Sequence, residues 1–493
     1  MKKPFLLLLA AAALLIGAAE IELGPHQVIT RAWGGTMTKS ADAVEIKTTQ
    51  IGKTFLARVR RRLPRRLDLW GKTFTYTFRA CGKGKINVSF YSVTSLYKEQ
   101  FSAFSPSIKL ADGWQEHKVA LRTLNPDINS AYLVVELSGE GSFLRIADEK
   151  LEAPGPDVSP ISAAPEFVML PEKGGAKITF SAPGREQLSA FDGKKQLALT
   201  GKDGVFTLET PADIAPLGKS IPGSVQEAVA KTGVWDEKSG TAKSVYVSRL
   251  SELEWSRFSG IASGIHLRGK LNALFLGDSL SDFCRGFNFI DEINFWINKT
   301  NPGLFSCRNA GVAGFTFKQL HAGLVRPPAD ASSPLNDLWD RKYDLIFIFL
   351  GHNDTVQYFD KAWKPIPGRQ VETLETYLPK VLTEIRKHSD ARIILVSPAS
   401  MDQENCRKFA EQRKRPGQSY YLFGMPENLI PWCSALKKLA EKHGANFVDL
   451  YTPSLALPEK GRVFTPIDGV HLMPRGQHFV AETLLRHLAA MPL

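Results

Sequence analysis

Between about residues 20 and 154 the chain alternates polar and apolar positions with a period of two. Thr73-Phe74-Thr75-Tyr76-Thr77-Phe78 is polar–aromatic throughout, and Ile86-Asn87-Val88-Ser89-Phe90-Tyr91 repeats the pattern. Strand side chains point to opposite faces in turn, so these runs predict strands with one buried face. Glu116–Leu121, Ala131–Leu137 and Phe143–Ile146 read as further strands, separated by Gly, Asp and Asn turns. Short strands in this number predict a β-sandwich of jelly-roll type. The Pro-, Ser- and Ala-rich stretch from Ala153 to Pro165 marks a linker. Beyond it, Ala176–Phe180, Gln196–Leu199 and Val205–Thr210 predict a small β unit.

From about residue 266 the pattern changes, and apolar runs of strand length alternate with helical segments. Leu271–Gly277 precedes a helix near Asp282–Asn298, Phe305–Asn309 precedes Thr316–Gly323, and Tyr343–Leu350 precedes Val371–His388. Arg392–Ser397, Pro431–His443, Asn446–Leu450 and a helix after Pro474 complete the series. Such alternation predicts a three-layer α/β domain around a parallel sheet, with active groups beyond the carboxyl ends of the strands. The expected organisation is a signal segment (1–19), a β-sandwich (20–154), a linker with a small β unit (155–265) and an α/β domain (266–493).

The first residues add a destination. Lys2 and Lys3 precede an apolar run from Pro4 to Ile16 and the small residues Gly17, Ala18 and Ala19. That order is a secretory signal with cleavage after Ala19, and its apolar run is shorter than the roughly 20 residues a spanning helix needs. The protein is therefore expected to be exported, to the periplasm, cell surface or medium, without integral membrane association. A formal charge of +12, or +10 once Lys2 and Lys3 are removed, suits polyanions without choosing among them. Its densest cluster runs from Arg58 to Arg66. It reads either as a solvated edge strand stopped by Pro64 or as a contact for acidic polysaccharide. A hydrophobic content of 43% excludes a disordered chain. Five cysteines (Cys81, Cys284, Cys307, Cys406, Cys433) are too few for a disulfide scaffold, although Cys284–Cys307 or Cys406–Cys433 could pair. No Cys/His cluster has zinc spacing, so no metal is expected.

Four motifs carry the chemistry, each at the end of a predicted strand. Gly277-Asp278-Ser279-Leu280 places a serine at a strand-to-helix turn, where its hydroxyl either enters a cleft or caps the helix. Asn309-Ala310-Gly311-Val312-Ala313-Gly314 brings backbone N–H groups close to a ligand, as an oxyanion donor requires, and lacks the lysine and hydroxyl of a P-loop. Gly351-His352-Asn353-Asp354 supplies a carboxamide that either donates to an oxyanion or makes a turn. Asp468-Gly469-Val470-His471 keeps an acid beside an imidazole on one tight loop.

In order and spacing these four blocks resemble the SGNH (GDSL-type) hydrolase family over roughly residues 266 to 493. The resemblance implies Ser279 as nucleophile, His471 as general base and Asp468 as its orienting acid. It also implies an oxyanion hole from the backbone N–H groups of Ser279 and Gly311 and the Asn353 side chain, with no metal or cofactor. The expected activity is a serine esterase working through an acyl-enzyme. The His352 form of the third block is similar to members that deacetylate pectin-type polysaccharides. The N-terminal pattern resembles jelly-roll carbohydrate-binding modules through Trp70-Gly71, Gly82 to Gly84 at a turn, Trp114, and the closing run Gly141 to Asp148. Trp70 and Trp114 either stack on sugars or pack internally. The leading expectation is an exported esterase for O-acetyl groups on polysaccharide, with no nucleic-acid partner. A lipid-directed esterase would need an apolar acyl groove. A binding protein with an incidental hydrolase domain would keep its glycan affinity without Ser279. The segment Asp402–Trp432, rich in Lys, Arg and aromatics (Arg407, Lys408, Arg413, Lys414, Arg415, Tyr420, Tyr421, Phe423), reads as a substrate-facing loop or a solvated insertion.

Overall fold

The computed structural model describes residues 19–28, 35–40, 42–51, 53–64, 67–93, 99–124, 130–154, 160–214, 229–328, 333–368 and 370–493. Residues 1–18 of the expected signal segment, Arg65 and Arg66 of the basic run, and residues 155–159 of the expected linker lie outside them.

The N-terminal region is one antiparallel network of eleven strands. Two long strands, Thr73–Val93 and Ser130–Ala153, pair along most of their length and form its spine. Phe74, Tyr76, Phe78, Ile86, Val88 and Phe90 all point inward and are fully buried, so the period of two runs unbroken through the first spine strand. The turn expected at Gly82–Gly84 is instead a bend within that strand. There its partner's register shifts between Ser138 and Phe143, and a Cβ on Gly82 (φ +143°) would lie 2.1 Å from the Phe143 carbonyl oxygen. The basic run is not an edge: Thr54–Arg62 pairs with His26–Val28, Thr49–Ile51 and the second spine strand. Its arginines lie along that paired strand, Arg58 on Glu136 at 2.5 Å and Arg60 4.3 Å over the Tyr132 ring. Trp70 is buried, whereas Trp114 is 40% exposed beneath the Arg79 guanidinium.

The small β unit is a three-stranded antiparallel sheet facing a mixed five-stranded one, with Ile178, Phe180, Phe206, Val234 and Val247 between them. Its strand Phe167–Leu170 is buried on both faces. Val168 and Leu170 enter the unit's own core, while Phe167 and Met169 enter that of the C-terminal domain. A four-residue strand therefore joins two cores, and its sequence is accordingly apolar throughout.

In the C-terminal domain β1 (Leu271–Gly277), β2 (Phe305–Asn309), β3 (Leu345–Phe349), β4 (Arg392–Val396) and β5 (Asn446–Val448) form a wholly parallel sheet in the order β2-β1-β3-β4-β5. The helices are α1 (Glu252–Ser263), α2 (Ser279–Asp282), α3 (Phe289–Thr300), α4 (Phe317–Val325), α5 (Gln370–Arg386), α6 (Gln403–Arg413), α7 (Pro426–Lys442), α8 (Tyr451–Leu455) and α9 (Pro474–Ala489). Helices α1, α3 and α9 pack together, as do α4, α5 and α7, giving the expected layers. Helix α1 starts on a Ser251–Glu254 capping box and buries Phe258 and Ala262 in this core, so the core takes in residues before position 266. The helix expected near Asp282–Asn298 begins only at Phe289, where Asn288 caps α3, because the short α2 has already ended at Asp282. All five cysteines are free, so neither candidate pair is bridged. Among the described residues no helix is long and apolar enough to cross a membrane.

Candidate active site

Strand β1 ends at Gly277, where a Cβ would lie 2.3 Å from Ser281 Oγ; only glycine lets the chain turn there into α2. Asp278 caps α2 by accepting the Leu280 N–H at 3.0 Å, and Ser279 follows at the first helical position. On the far side of the sheet's carboxyl edge, Asp468 Oδ1 accepts the N–H groups of Val470 (2.9 Å) and His471 (3.1 Å). That leaves Oδ2 to meet His471 Nδ1 at 2.6 Å, and His471 Nε2 lies 2.9 Å from Ser279 Oγ. The Phe283 ring stacks on the imidazole at 4.7 Å and limits its rotation. Burial opposes the imidazolium, but the Asp468 charge, its hydrogen bond and the Asp278 charge outweigh it and hold the His471 pKa above its ordinary value. Burial likewise opposes the Asp468 carboxylate, yet His471 and the two backbone N–H groups hold its pKa below the usual range. A hydroxyl bonded to an oriented imidazole of this kind can lose its proton as it attacks a carbonyl.

Gly277 pairs in register with Phe349, so the turn after β3 lies beside the serine turn. Asn353 donates one N–H to the Phe315 carbonyl at 3.0 Å, which leaves its second N–H available. The Ser279 backbone N–H, at the start of a helix, has no partner among the described residues.

The Gly311 expectation is corrected. Its single N–H donates to Asn309 Oδ1 at 3.0 Å, and a Cβ there would lie 2.7 Å from Ser281 Cβ, so this glycine serves close packing against α2. Three residues on, Gly314 (φ +82°) has open space where a Cβ would stand and an N–H without a partner among the described residues. It directly precedes Phe315, whose carbonyl holds Asn353. The oxyanion-type donors available on this edge are thus Ser279, Gly314 and Asn353.

Sequence reasoning also missed what braces these loops. Arg285 donates to the carbonyls of Asn309 and Gly311, both at 2.7 Å, and to Asp282 Oδ1 at 3.0 Å. Asp282 Oδ2 in turn accepts the Ala313 N–H at 3.0 Å. Behind the serine, Asp278 Oδ2 lies 3.2 Å from His352 Nδ1, both residues buried. The parallel pairing of β1 and β3 would have suggested this contact. Next to it, burial pushes the Asp354 carboxyl up to about 7, against the Phe317 N–H it accepts and helped by the Asp278 charge. Among the described residues no group of three His, Cys, Asp or Glu could hold a metal ion.

The segment from Asp402 is not a loop. Asp402 caps α6, and Tyr420–Leu422 pairs antiparallel with Gln357–Phe359, four residues past Asn353. The unit is rooted in both sides of the site, because the Asp402 N–H donates to the Gly469 carbonyl at 2.8 Å and Asn428 Nδ2 to the Thr355 carbonyl at 3.1 Å.

No curated protein matches the chain. Among solved structures it is similar to a variant of an acetyl-xylooligosaccharide esterase from Geobacillus (20% identity, TM-score 0.33, covering 45% of this chain and 96% of that one). It is also similar to a lipase/acylhydrolase from Enterococcus faecalis (18% identity, TM-score 0.32, covering 44% and 95%). A family 29 carbohydrate-binding module in complex with cellulohexaose matches over 26% of this chain and 81% of its own, at 14% identity and TM-score 0.20. Residues 275–479, which contain all four motifs and most of the α/β domain, match the model of the GDSL-like Lipase/Acylhydrolase family.

Proposed function

We propose that this protein is an exported serine esterase that removes O-acetyl groups from polysaccharide. The observation that carries the chemistry is the unbroken relay from Asp468 through His471 to Ser279, at 2.6 and 2.9 Å. Ser279 Oγ attacks the ester carbonyl while His471 Nε2 takes its proton, and Asp468 stabilises the imidazolium so formed. The N–H groups of Ser279, Gly314 and Asn353 receive the developing oxyanion, each worth about 3 kcal/mol in sites of this type. His471 then protonates the departing sugar hydroxyl, and water, deprotonated by the same imidazole, releases acetate from Ser279. The polymer reading is supported by the exposed aromatic and basic side chains on the unit beside the site and by Trp114 on the N-terminal sheet. Export is supported by the charged, apolar and small-residue order of residues 1–19.

The test is acetate release by the mature protein from acetylated xylan, pectin and chitin-like polymers, with Ser279→Ala as the blank. Release from a polymer that the variant abolishes supports the proposal. Cleavage restricted to long-chain acyl esters would replace it with a lipid-directed esterase. Release that persists in Ser279→Ala would remove the nucleophile assigned.

A further inference from the structure

The unit formed by Gln357–Phe359, the turn after it, α6 and Tyr420–Leu422 carries chemistry the triad does not use. Phe359 and Tyr420 stack face to face at 4.4 Å. Lys414 bridges Tyr420 and Trp363, its ammonium 5.0 and 4.6 Å from the two ring centres. Trp363 is 40% exposed and Tyr358 56% exposed. Trp363 also holds φ at +63°, a conformation costly for a bulky residue. Asp360 clamps the turn by accepting the N–H groups of Ala362 (2.9 Å) and Lys364 (2.8 Å), which fixes the indole at the surface.

The charge of this unit is not neutralised from within. Glu404 is taken by Lys408 and Glu411 by Lys414, while Asp360 and Asp402 accept backbone N–H groups. Lys361, Lys364, Arg407, Arg413 and Arg415 have no carboxylate partner among the described residues; Arg415 bonds only backbone carbonyls and Arg413 the Tyr421 hydroxyl. An aromatic surface with unpaired cations matches a polymer whose rings stack and whose substituents are carboxylates. Nucleic acid offers phosphate and stackable bases but no carboxylic ester for the adjoining serine to attack.

We propose that this ridge docks an anionic, uronate-bearing polysaccharide chain and presents its ester groups to Ser279, an inference that rests on the esterase reading. The test compares three substrates of the full-length mature protein: an acetylated polyuronate, an acetylated neutral glycan and a small neutral acetyl ester. At low salt kcat/KM on the polyuronate exceeds that on the neutral glycan by about tenfold or more, and the excess collapses at high salt, where surface charges are screened within roughly 3 Å. The small ester shows no such salt dependence. The double variant Lys361→Glu/Lys364→Glu lowers the polyuronate-to-neutral preference by at least about tenfold, chiefly through KM. Equal rates on both polymers, with no salt effect on the polyuronate, overturn the docking assignment while leaving the esterase intact. Failure to cleave even the small ester overturns the esterase reading instead.

Discussion

Asp278 and His352 form a buried pair at 3.2 Å immediately behind the serine, joining the turn after β1 to the turn after β3. The carboxylate does two further things: it caps α2 through the Leu280 N–H, and its charge helps hold the His471 pKa up. Asn at position 278 keeps an acceptor for Leu280 but removes the charge. His471 must be neutral to act as base, so activity rises with pH through its pKa. Asp278→Asn therefore moves the acidic limb of the kcat/KM profile to lower pH. His352→Phe leaves the carboxylate buried with one partner fewer, at a cost of about 1–3 kcal/mol in unfolding free energy. The pH–rate profile on a small ester checks the first and denaturant unfolding the second. An unmoved limb in Asp278→Asn would mean that the imidazole does not feel this charge.

Asn353 spends one amide hydrogen on the Phe315 carbonyl and has one left for substrate. An oxyanion donor acts on the transition state more than on the bound ester, so Asn353→Ala lowers kcat by about 10²–10³-fold with little change in KM. Steady-state kinetics on a small ester separate the two parameters. A rise in KM at constant kcat would make the side chain a substrate-binding group instead.

The four motif blocks were legible as sequence because each is local: a turn, two or three polar side chains, and a preceding apolar strand. The Asp468-x-x-His471 contact needs only one loop, and Ser279 only its helix start. What escaped the sequence depends on pairing between distant segments. Gly311 and Gly314 are equivalent as letters, and only the Asn309 side chain, which takes the Gly311 N–H, separates them. The Asp278–His352 pair requires the β1–β3 register. In the N-terminal region the strand pattern was readable, but two pairs of expected strands proved continuous, because Gly82 admits the bulge of its neighbour without ending the strand. The basic segment after β4 hid a helix because α6 buries only Cys406 and Ala410, too little for an apolar stripe to stand out.

Asp354 gives a pH-dependent stability of definite sign. Its carboxyl titrates at about 7 in the folded protein against 3.8 as the ordinary value, and Oδ2 is buried without a partner among the described residues. The folded state thus favours the protonated form. The associated stability is fully present below the ordinary carboxyl pKa and is lost as pH rises through about 7. Asp354→Asn imitates the protonated group and keeps the acceptor for the Phe317 N–H. Its Tm matches that of the wild type in acid and exceeds it at pH above 7, as thermal unfolding across pH would show. A variant less stable than the wild type at every pH would mean that the ionised carboxylate is itself required.

The N-terminal sheet is docked onto the rest of the chain by a specific set of side chains. Trp70 packs edge-on to Trp235 at 6.2 Å, and Lys231 lies over both Trp70 and Tyr246. The Tyr246 ring in turn meets Phe287 at 4.4 Å, four residues from the Phe283 that stacks on His471. Outside this apolar joint Arg122 grips Glu237 with two hydrogen bonds, at 2.9 and 2.7 Å. That guanidinium draws the Glu237 carboxyl down to about 2, against a smaller effect of burial and with help from the Trp235 N–H. Because the folded pKa is depressed, this contribution is complete above the ordinary value of 4.5 and is lost as pH falls toward about 2. Two consequences follow from the geometry. Trp70→Ala removes a buried indole, costs about 3–5 kcal/mol, and splits thermal unfolding into separate transitions for the N-terminal sheet and the remainder. Arg122→Ala leaves the apolar joint in place but removes the guanidinium's contribution at every pH, so the two parts are less tightly coupled already at neutral pH and the loss of coupling on acidification is smaller than in the wild type. Calorimetry at neutral and acid pH reads both, and a single unshifted transition in Trp70→Ala would show that the joint does not couple the two.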